Sequence, residues 1–350
     1  MAEPVVSYPG AKWRFYPHMV EYFPIDMKTF IEPFFGGGSV TLSVADDPRF
    51  TKLERMIGGD LYTEMWAFWN GVKDNPDDVV AIATKWFTEK CPHQAEIHNS
   101  GFVGGTARSY LPGGEFEFFE KSDILTDADK QRIRDNILLY KVACEEGQAF
   151  WDWSQSVDTS TMSIPERAAR MLLVNKISFS GMGDSGSLSK DQFCDFTLDK
   201  LNKVYGASKL LKDHDVQILN VSFEETMKYS NDDPENTFIF LDPPYAKQES
   251  SGLYGKGGNT HHGFPHEHFA EYTKSMKCKW FMTYDDSVIV RKLFAGNTAD
   301  GKPIYIKSFR IPGGYTMAGK TAEDALAGEE AFIANYDIIK ADMLDDDEEF

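Results

Sequence analysis

The sequence predicts an α/β fold interrupted by a long insertion, and three observations carry that reading. Over the first 74 residues, short apolar runs ending at an acid or a glycine alternate with segments of helical period. From 75 to 164 the alternation gives way to polar, aromatic-rich segments with glycine clusters, among them Gly104-Gly105 and Pro112-Gly113-Gly114. From 165 the alternation resumes. A chain of 350 residues buries a sizeable core, in one large domain with an insertion or in two domains. We divide it into a core of 1–74 and 165–340, a mainly helical insertion at 75–164 and an acidic, solvated tail at 341–350.

The elements follow in order. A strand at 28–32 leads into a glycine-rich loop at 33–38 and the first turns of a helix at 39–45. A second strand, 55–59, ends at Asp60, and 61–73 carries Leu61, Met65, Phe68, Trp69 and Val72 at helical spacing. Within the insertion, 126–144 reads as a helix with Leu138, Leu139 and Val142 as packing positions. Ser163 caps the next helix, with Pro165 in its first turn and Ala169, Leu172 and Leu173 as an apolar stripe. A helix at 199–211, a strand at 216–219 and a short helix at 223–228 precede the strand 237–241. After Tyr245 the stretch to His262 holds Gly252, Gly255, Gly257 and Gly258, as expected of a loop at the mouth of a site. A helix at 266–277 and strands at 279–284, 304–310 and 331–340 complete the chain, and no internal repeat occurs.

Bulk properties narrow the class. No run of eighteen apolar residues occurs, and the start Met1-Ala2-Glu3-Pro4 lacks a basic-then-apolar leader, so the expectation is an intracellular, cytoplasmic protein without a membrane span. Cys91, Cys144, Cys194 and Cys278 form no Cys-x-x-Cys pair and read as packing residues. His261, His262, His266 and His268 lack an acidic partner pattern, so no metal is expected. The formal charge of −19 argues against a simple nucleic-acid binder, which presents a basic face to phosphates. Six acids in 341–350 account for part of it, leaving −13 for the rest.

Chemistry concentrates where strand 237–241 ends in Asp242-Pro243-Pro244-Tyr245. The amino nitrogen of a nucleobase is a poor nucleophile because its lone pair is delocalised into the ring, so an enzyme must hold it with acceptors and pin the base. The Asp242 carboxylate and the Pro243 carbonyl, aimed by two rigid prolines, can accept the two amino hydrogens, while the Tyr245 ring stacks on an extruded base. The bland reading is a proline-terminated strand and a tight turn. The loop Glu32-Pro33-Phe34-Phe35-Gly36-Gly37-Gly38-Ser39 lets the backbone approach a cofactor closely, or is simply a turn. It is no dinucleotide fingerprint, since Thr41 stands where a third glycine would fall. Asp60, at the end of the next strand, suits ribose hydroxyls, or caps the following helix.

Taken in order, Ser7-Tyr8-Pro9-Gly10-Ala11-Lys12-Trp13-Arg14, the glycine loop, Asp60 and Asp242-Pro243-Pro244-Tyr245 resemble the Dam-like, D12 class of DNA adenine-N6 methyltransferases. The resemblance covers most of 7–284 and implies a Rossmann-like, S-adenosylmethionine-dependent core with an inserted target-recognition domain. It implies that Tyr8 and Lys12 contact the cofactor, Lys12 through the methionyl carboxylate. Glu32, Pro33, Phe34, Gly36 and Gly38 would cradle the methionine part, Asp60 would hold the ribose, and Asp242 would border the cofactor. Catalysis would fall to Asp242, Pro243, Pro244 and Tyr245, with double-stranded DNA as the partner, in a bacterial cell or phage-infected host and as a monomer or homodimer. The run Asn175-Lys176-Ile177-Ser178-Phe179-Ser180-Gly181-Met182 resembles the segment that precedes a base-reading hairpin, expected here over 185–192. Phe179, Ser180, Met182 and Lys190 are the DNA-contact candidates. Relatives that read GATC carry an arginine shortly after the matching glycine, where this chain has Gly183 and Asp184. Phe281-Met282-Thr283-Tyr284-Asp285-Asp286 resembles the late strand of the family, with Tyr284 or Asp285 near the site. The alternatives are a cytosine-N4 or RNA adenine methyltransferase, a non-catalytic nucleic-acid-binding relative, or an enzyme acting on a small molecule.

Overall fold

The structure, a computed structural model, describes residues 4–8, 10–111, 119–246, 263–310 and 329–338. Pro9, the Pro112-Gly113-Gly114 cluster, the glycine-bearing stretch to His262, the end of the last expected strand and the acidic tail lie outside the described residues. The chain divides into two compact units. One comprises Met1–Pro4, Gly10–Trp66 and Lys209–Phe350; the other comprises Val5–Pro9 and Ala67–Ser208. The second unit thus runs on from 164 to Ser208 and includes the helix Ile164–Ile177.

The first unit is built on a seven-stranded, mostly parallel sheet. Its strands are β1 (Thr29–Glu32), β2 (Arg55–Gly59), β3 (Gln217–Leu219), β4 (Thr237–Leu241), β5 (Lys279–Asp285), β6 (Tyr305–Arg310) and β7 (Glu329–Ala334), in the order β3-β2-β1-β4-β5-β7-β6. β7 runs antiparallel to both neighbours, so its start lies beside the end of β5, with Asp285 opposite Glu330. The side-chain period of two divides each strand between two packed layers. Ile31, Ile57, Ile239, Leu241, Trp280, Met282 and Ile333 join one cluster. Phe238, Phe240, Phe281 and Phe332 face the other way, where Phe23 lies 4.8 Å from Phe238 and 5.5 Å from Phe281. The same period carries this second face from Phe240 to Asp242, from Phe281 to Thr283 and Asp285, and from Phe332 to Glu330. An apolar aromatic layer therefore ends, at the carboxyl edge of the sheet, in a row of polar groups.

Two glycines let the neighbouring loops close on β2. A Cβ on Gly58 would stand 2.1 Å from the Phe35 ring, and one on Gly59 would stand 2.0 Å from Thr226 Oγ1. β7 stops at Ala334, short of the expected 340. Asn335 turns its side chain back to accept from the Trp280 N–H and donate to the Cys278 carbonyl.

The second unit is helical among its described residues, with Pro76–Lys90, Asp127–Ser156 and Ile164–Ile177 as its longer helices. Asp127–Ser156 begins on a capping box at Thr126 and Asp129 and extends twelve residues past the expected end at 144. Its buried face is Ile133, Tyr140, Ala143, Cys144, Gly147, Phe150 and Trp151. Leu138 and Val142, expected to pack, are instead 62% and 40% exposed, because they lie off that stripe. Gly147 leaves room for the Phe193 ring, which a Cβ would meet at 2.9 Å. Cys144 and Cys194, fifty residues apart, meet side chain to side chain in the interior. Among the described residues no helix is long and apolar enough to cross a membrane.

Candidate active site

β1 and β4 are parallel neighbours whose further partners lie on opposite sides, β2 and β5, and ligands of open α/β sheets bind at the carboxyl ends of such a pair. β4 delivers Asp242 there, and Pro243, lacking an N–H, ends the ladder. Asp242 Oδ1 accepts from Thr283 Oγ1 at 2.9 Å and pairs with Lys12 Nζ at 3.0 Å. Both engagements fall on one oxygen. Lys12 is only 2% exposed; its backbone N–H donates to Ser39 Oγ and its ammonium to the Gly10 carbonyl at 2.8 Å. The same ammonium stands 3.9 Å from Glu330 Oε1 and 5.0 Å from the centre of the Tyr245 ring.

The tetrapeptide is held from both ends. The Ala246 N–H donates to Asp285 Oδ1 at 2.8 Å, and the half-buried Tyr245 ring lies against Tyr284, with centroids 5.8 Å apart and planes at 25°. The Tyr245 hydroxyl points inward. Burial, and then the carboxylates of Glu330 and Asp242, raise it well above the ordinary tyrosine range. Pro243 is buried and Pro244 half-buried.

The glycine loop leaves β1 beside this cluster. Gly36 and Gly38 take φ of 44° and 63°, a region that disfavours any side chain, and the Phe35 N–H donates to the Gly59 carbonyl at 2.9 Å. Glu32, 3% exposed, turns its carboxyl onto the Thr41 N–H and hydroxyl in the first turn of the helix Ser39–Ala45. Burial pushes that carboxyl up to about 8, against the lowering by Thr41. Asp60 Oδ2 accepts from the Gly36 N–H at 2.8 Å and Oδ1 from the Tyr62 N–H at 2.7 Å, so this acid ties the end of β2 to the loop. Burial raises Asp60 to about 6 despite those two bonds. Pro33 is buried, while the half-buried Phe34 stacks on Phe223 at 5.8 Å with the edges of Phe264 and Phe269 around it.

Tyr8 falls in the helical unit, as do the four expected DNA contacts. There the Ser7 N–H donates to Asn175 Oδ1, and Asn175 Nδ2 donates to the carbonyls of Ser7 and Gly181. The hairpin expected over 185–192 lies earlier. Ser178 bridges Leu188, Phe179 N–H donates to the Ser187 carbonyl and Ser189 N–H to the Ile177 carbonyl, while Lys190 opens the helix Lys190–Asp195. Phe179 and Ser180 are exposed at the bend, Ser180 with a positive φ of 52°; Met182 is half-buried and Lys190 exposed. Asp184 turns inward onto Arg170 at 2.6 and 3.1 Å, and Arg170 also donates to the Ser154 carbonyl.

Sequence reasoning did not find Glu330 or the Arg170–Asp184 pair, and placed Thr283 only within a run. The available signal for Glu330 was the second of two acids that open an otherwise apolar strand. His266 Nδ1 meets the Tyr284 hydroxyl and His268 Nε2 stands 3.1 Å from Glu224, while His261 and His262 lie outside the described residues.

This mostly parallel seven-stranded sheet, with acids at the ends of β2 and β4, fits a methyltransferase fold. The chain belongs to the D12 class N6 adenine-specific DNA methyltransferase family, whose model matches residues 8–306. Type II methyltransferase M1.LlaDCHI of Lactococcus lactis subsp. cremoris is 22% identical over 271 residues, 75% of this chain and 72% of its own length. Type II methyltransferase M.CviBI of Paramecium bursaria Chlorella virus NC1A is 22% identical over 301 residues, 84% of this chain and 87% of its own. The protein is thus a site-specific DNA methyltransferase acting on adenine N6, and methyltransferases of this family in general take their methyl group from S-adenosylmethionine.

Proposed function

We propose that Asp242, Pro243, Pro244 and Tyr245 hold a flipped adenine for methyl transfer, and that the glycine loop with Asp60 and Lys12 holds S-adenosylmethionine beside it. The observation that carries this is the state of Asp242. Thr283 and Lys12 both engage Oδ1, which leaves Oδ2 to accept from an amine at the end of β4. The Pro243 carbonyl takes the second amino hydrogen, and the Tyr245 ring packs on the base. S-adenosylmethionine held there would supply a methyl on a positively charged sulfur. Asp242 stabilises the positive charge that develops on the amine nitrogen and then takes up its proton, without having to be a strong base beforehand.

The residues fit that cofactor. Asp60 spends one acceptor direction of each oxygen on a backbone N–H and has others left for ribose hydroxyls. Carboxylates outnumber ammonium groups around Lys12, which suits a ligand of net positive charge. Lys12 would serve the methionyl carboxylate alongside Asp242 and the Gly10 carbonyl, through the three donors of its ammonium. Glu32 supports the loop through Thr41 rather than by direct contact.

We assign target recognition to the inserted helical unit. Phe179 and Ser180 sit exposed on a pinned bend, and the charges of Lys200 and Lys203 act on Lys176 nearby, lowering it, after burial, to about 8. With Asp184 committed to Arg170, guanine readout by an arginine in that place is absent, and GATC is not the expected site. The test is labelled S-adenosylmethionine with unmethylated DNA, digested to nucleosides. Label appears in N6-methyladenosine, and Asp242→Ala loses at least ~10³-fold in rate while still binding cofactor. Label in N4-methylcytosine, or full activity of the variant, overturns the reading.

A further inference from the structure

Glu330 is the acid that the amine-holding reading leaves over. It lies on β7, beyond the matched span 8–306, and is 1% exposed. It arrives at the site only because β7 runs antiparallel between β5 and β6, which sets its first residues beside Asp285 at the end of β5. There its carboxyl stands 3.9 Å from Lys12 Nζ and borders the inward hydroxyl of Tyr245. Lys12 and Tyr245, the two side chains that flank Asp242, therefore share one buried neighbour. A carboxylate taken out of water costs several kcal/mol unless well paired, and an apolar residue of similar size often serves stability as well or better. The acid is thus better explained by what it holds than by what it adds to the fold.

We propose that Glu330 is a positioning residue for methyl transfer, fixing the Lys12 ammonium and the plane of the Tyr245 ring without touching the amine or the methyl donor. This rests on the reading that Asp242 and Tyr245 hold the base. Asp242 has Thr283 on the same oxygen as Lys12, so its orientation survives the loss of Glu330. At its hydroxyl end Tyr245 has Glu330 and Thr283 for neighbours, and its ring must keep one plane to receive a base.

The test uses the full chain and single-turnover methylation at saturating S-adenosylmethionine on unmethylated DNA. Glu330→Ala slows transfer by ~10–100-fold, the scale of a misplacement near one ångström. Glu330→Gln recovers most of the rate, because it keeps a polar side chain of the same size beside the hydroxyl and an oxygen facing the ammonium. Tyr245→Phe loses the same contact, so adding it to Glu330→Ala, or to Glu330→Gln should the alanine variant not fold, gives less than the product of the single losses. Wild-type rates for a folded Glu330→Ala, no recovery in Glu330→Gln, or losses that multiply each overturn the proposal. Asp242→Ala run alongside separates the two layers. If it too transfers at the wild-type rate, the base-holding reading fails; if it is inactive while Glu330 variants are normal, only the role of Glu330 fails.

Discussion

Glu32 was legible as the acid that opens the glycine loop, but not as a support buried under it. What hid its role is that Thr41 lies nine residues on, across a turn whose shape depends on Gly36 and Gly38. Its environment makes a prediction that needs no ligand. The folded carboxyl keeps its proton up to about 8 against 4.5 for an ordinary glutamate. Between those values folding takes up a proton, so this group's contribution is complete below about 4.5, declines as pH rises and is flat above about 8. Glu32→Gln carries no such term, and its amide oxygen still accepts from Thr41. Denaturant unfolding from pH 5 to 9 is therefore expected to show the wild type losing ~3–5 kcal/mol relative to Glu32→Gln, with the change confined below pH 8. Parallel profiles for the two proteins would mean that Glu32 is not held neutral. At the same scale, Asp60 and Asp242 were readable because each terminates an apolar run. Glu330 was not, because chain order does not say that β7 returns antiparallel between β5 and β6.

At the scale of elements, the strands ending at Gly59 and Leu241, the helix beginning at Ser39 and the helix capped by Ser163 followed from punctuation in the sequence. The helix Pro76–Lys90 was missed within a segment read only as polar and aromatic-rich, although Pro76, Asp77 and Asp78 form an ordinary first turn. Leu138 and Val142 misled because a helix with several apolar residues around its circumference does not announce which stripe is covered. The bend at Phe179 shows what pairwise contacts add. Asp184 reads as a departure from a base-reading arginine, yet it closes a bidentate pair with Arg170 that is 2–3% exposed. Removing one partner of such a pair strands a buried charge, so Asp184→Ala is expected to cost the helical unit ~3–5 kcal/mol. Replacing the pair together, as Arg170→Met with Asp184→Leu, is expected to recover most of that in thermal or denaturant unfolding. If the double variant is no better than the single one, the bend depends on the charges themselves rather than on filling that space.

Across the whole molecule, the unresolved tension is a DNA enzyme carrying −19. Phosphate contacts must be made by local groups against a repulsive long-range field, and those two terms respond differently to salt. Phosphate contacts weaken with salt through counterion release to the same degree with or without a distant charge, whereas repulsion across tens of ångströms is cut off once the Debye length falls to ~10 Å near 0.1 M. The tail 341–350 holds six of the acids and no base, so removing it takes the charge to −13 without touching any residue assigned to the site. Chain truncation after Lys340 is therefore expected to tighten DNA binding several-fold at ~20 mM salt through faster association, with the two proteins converging by ~0.3 M. Rate constants for association, measured across that series, separate this from a contact effect. A tail that instead occupies the DNA surface as a mimic of phosphate would change affinity by far more than its charge alone predicts, and the gain would scale with the number of basic contacts it uncovers. Equal association rates at low salt would place the tail's charge outside the path by which DNA approaches.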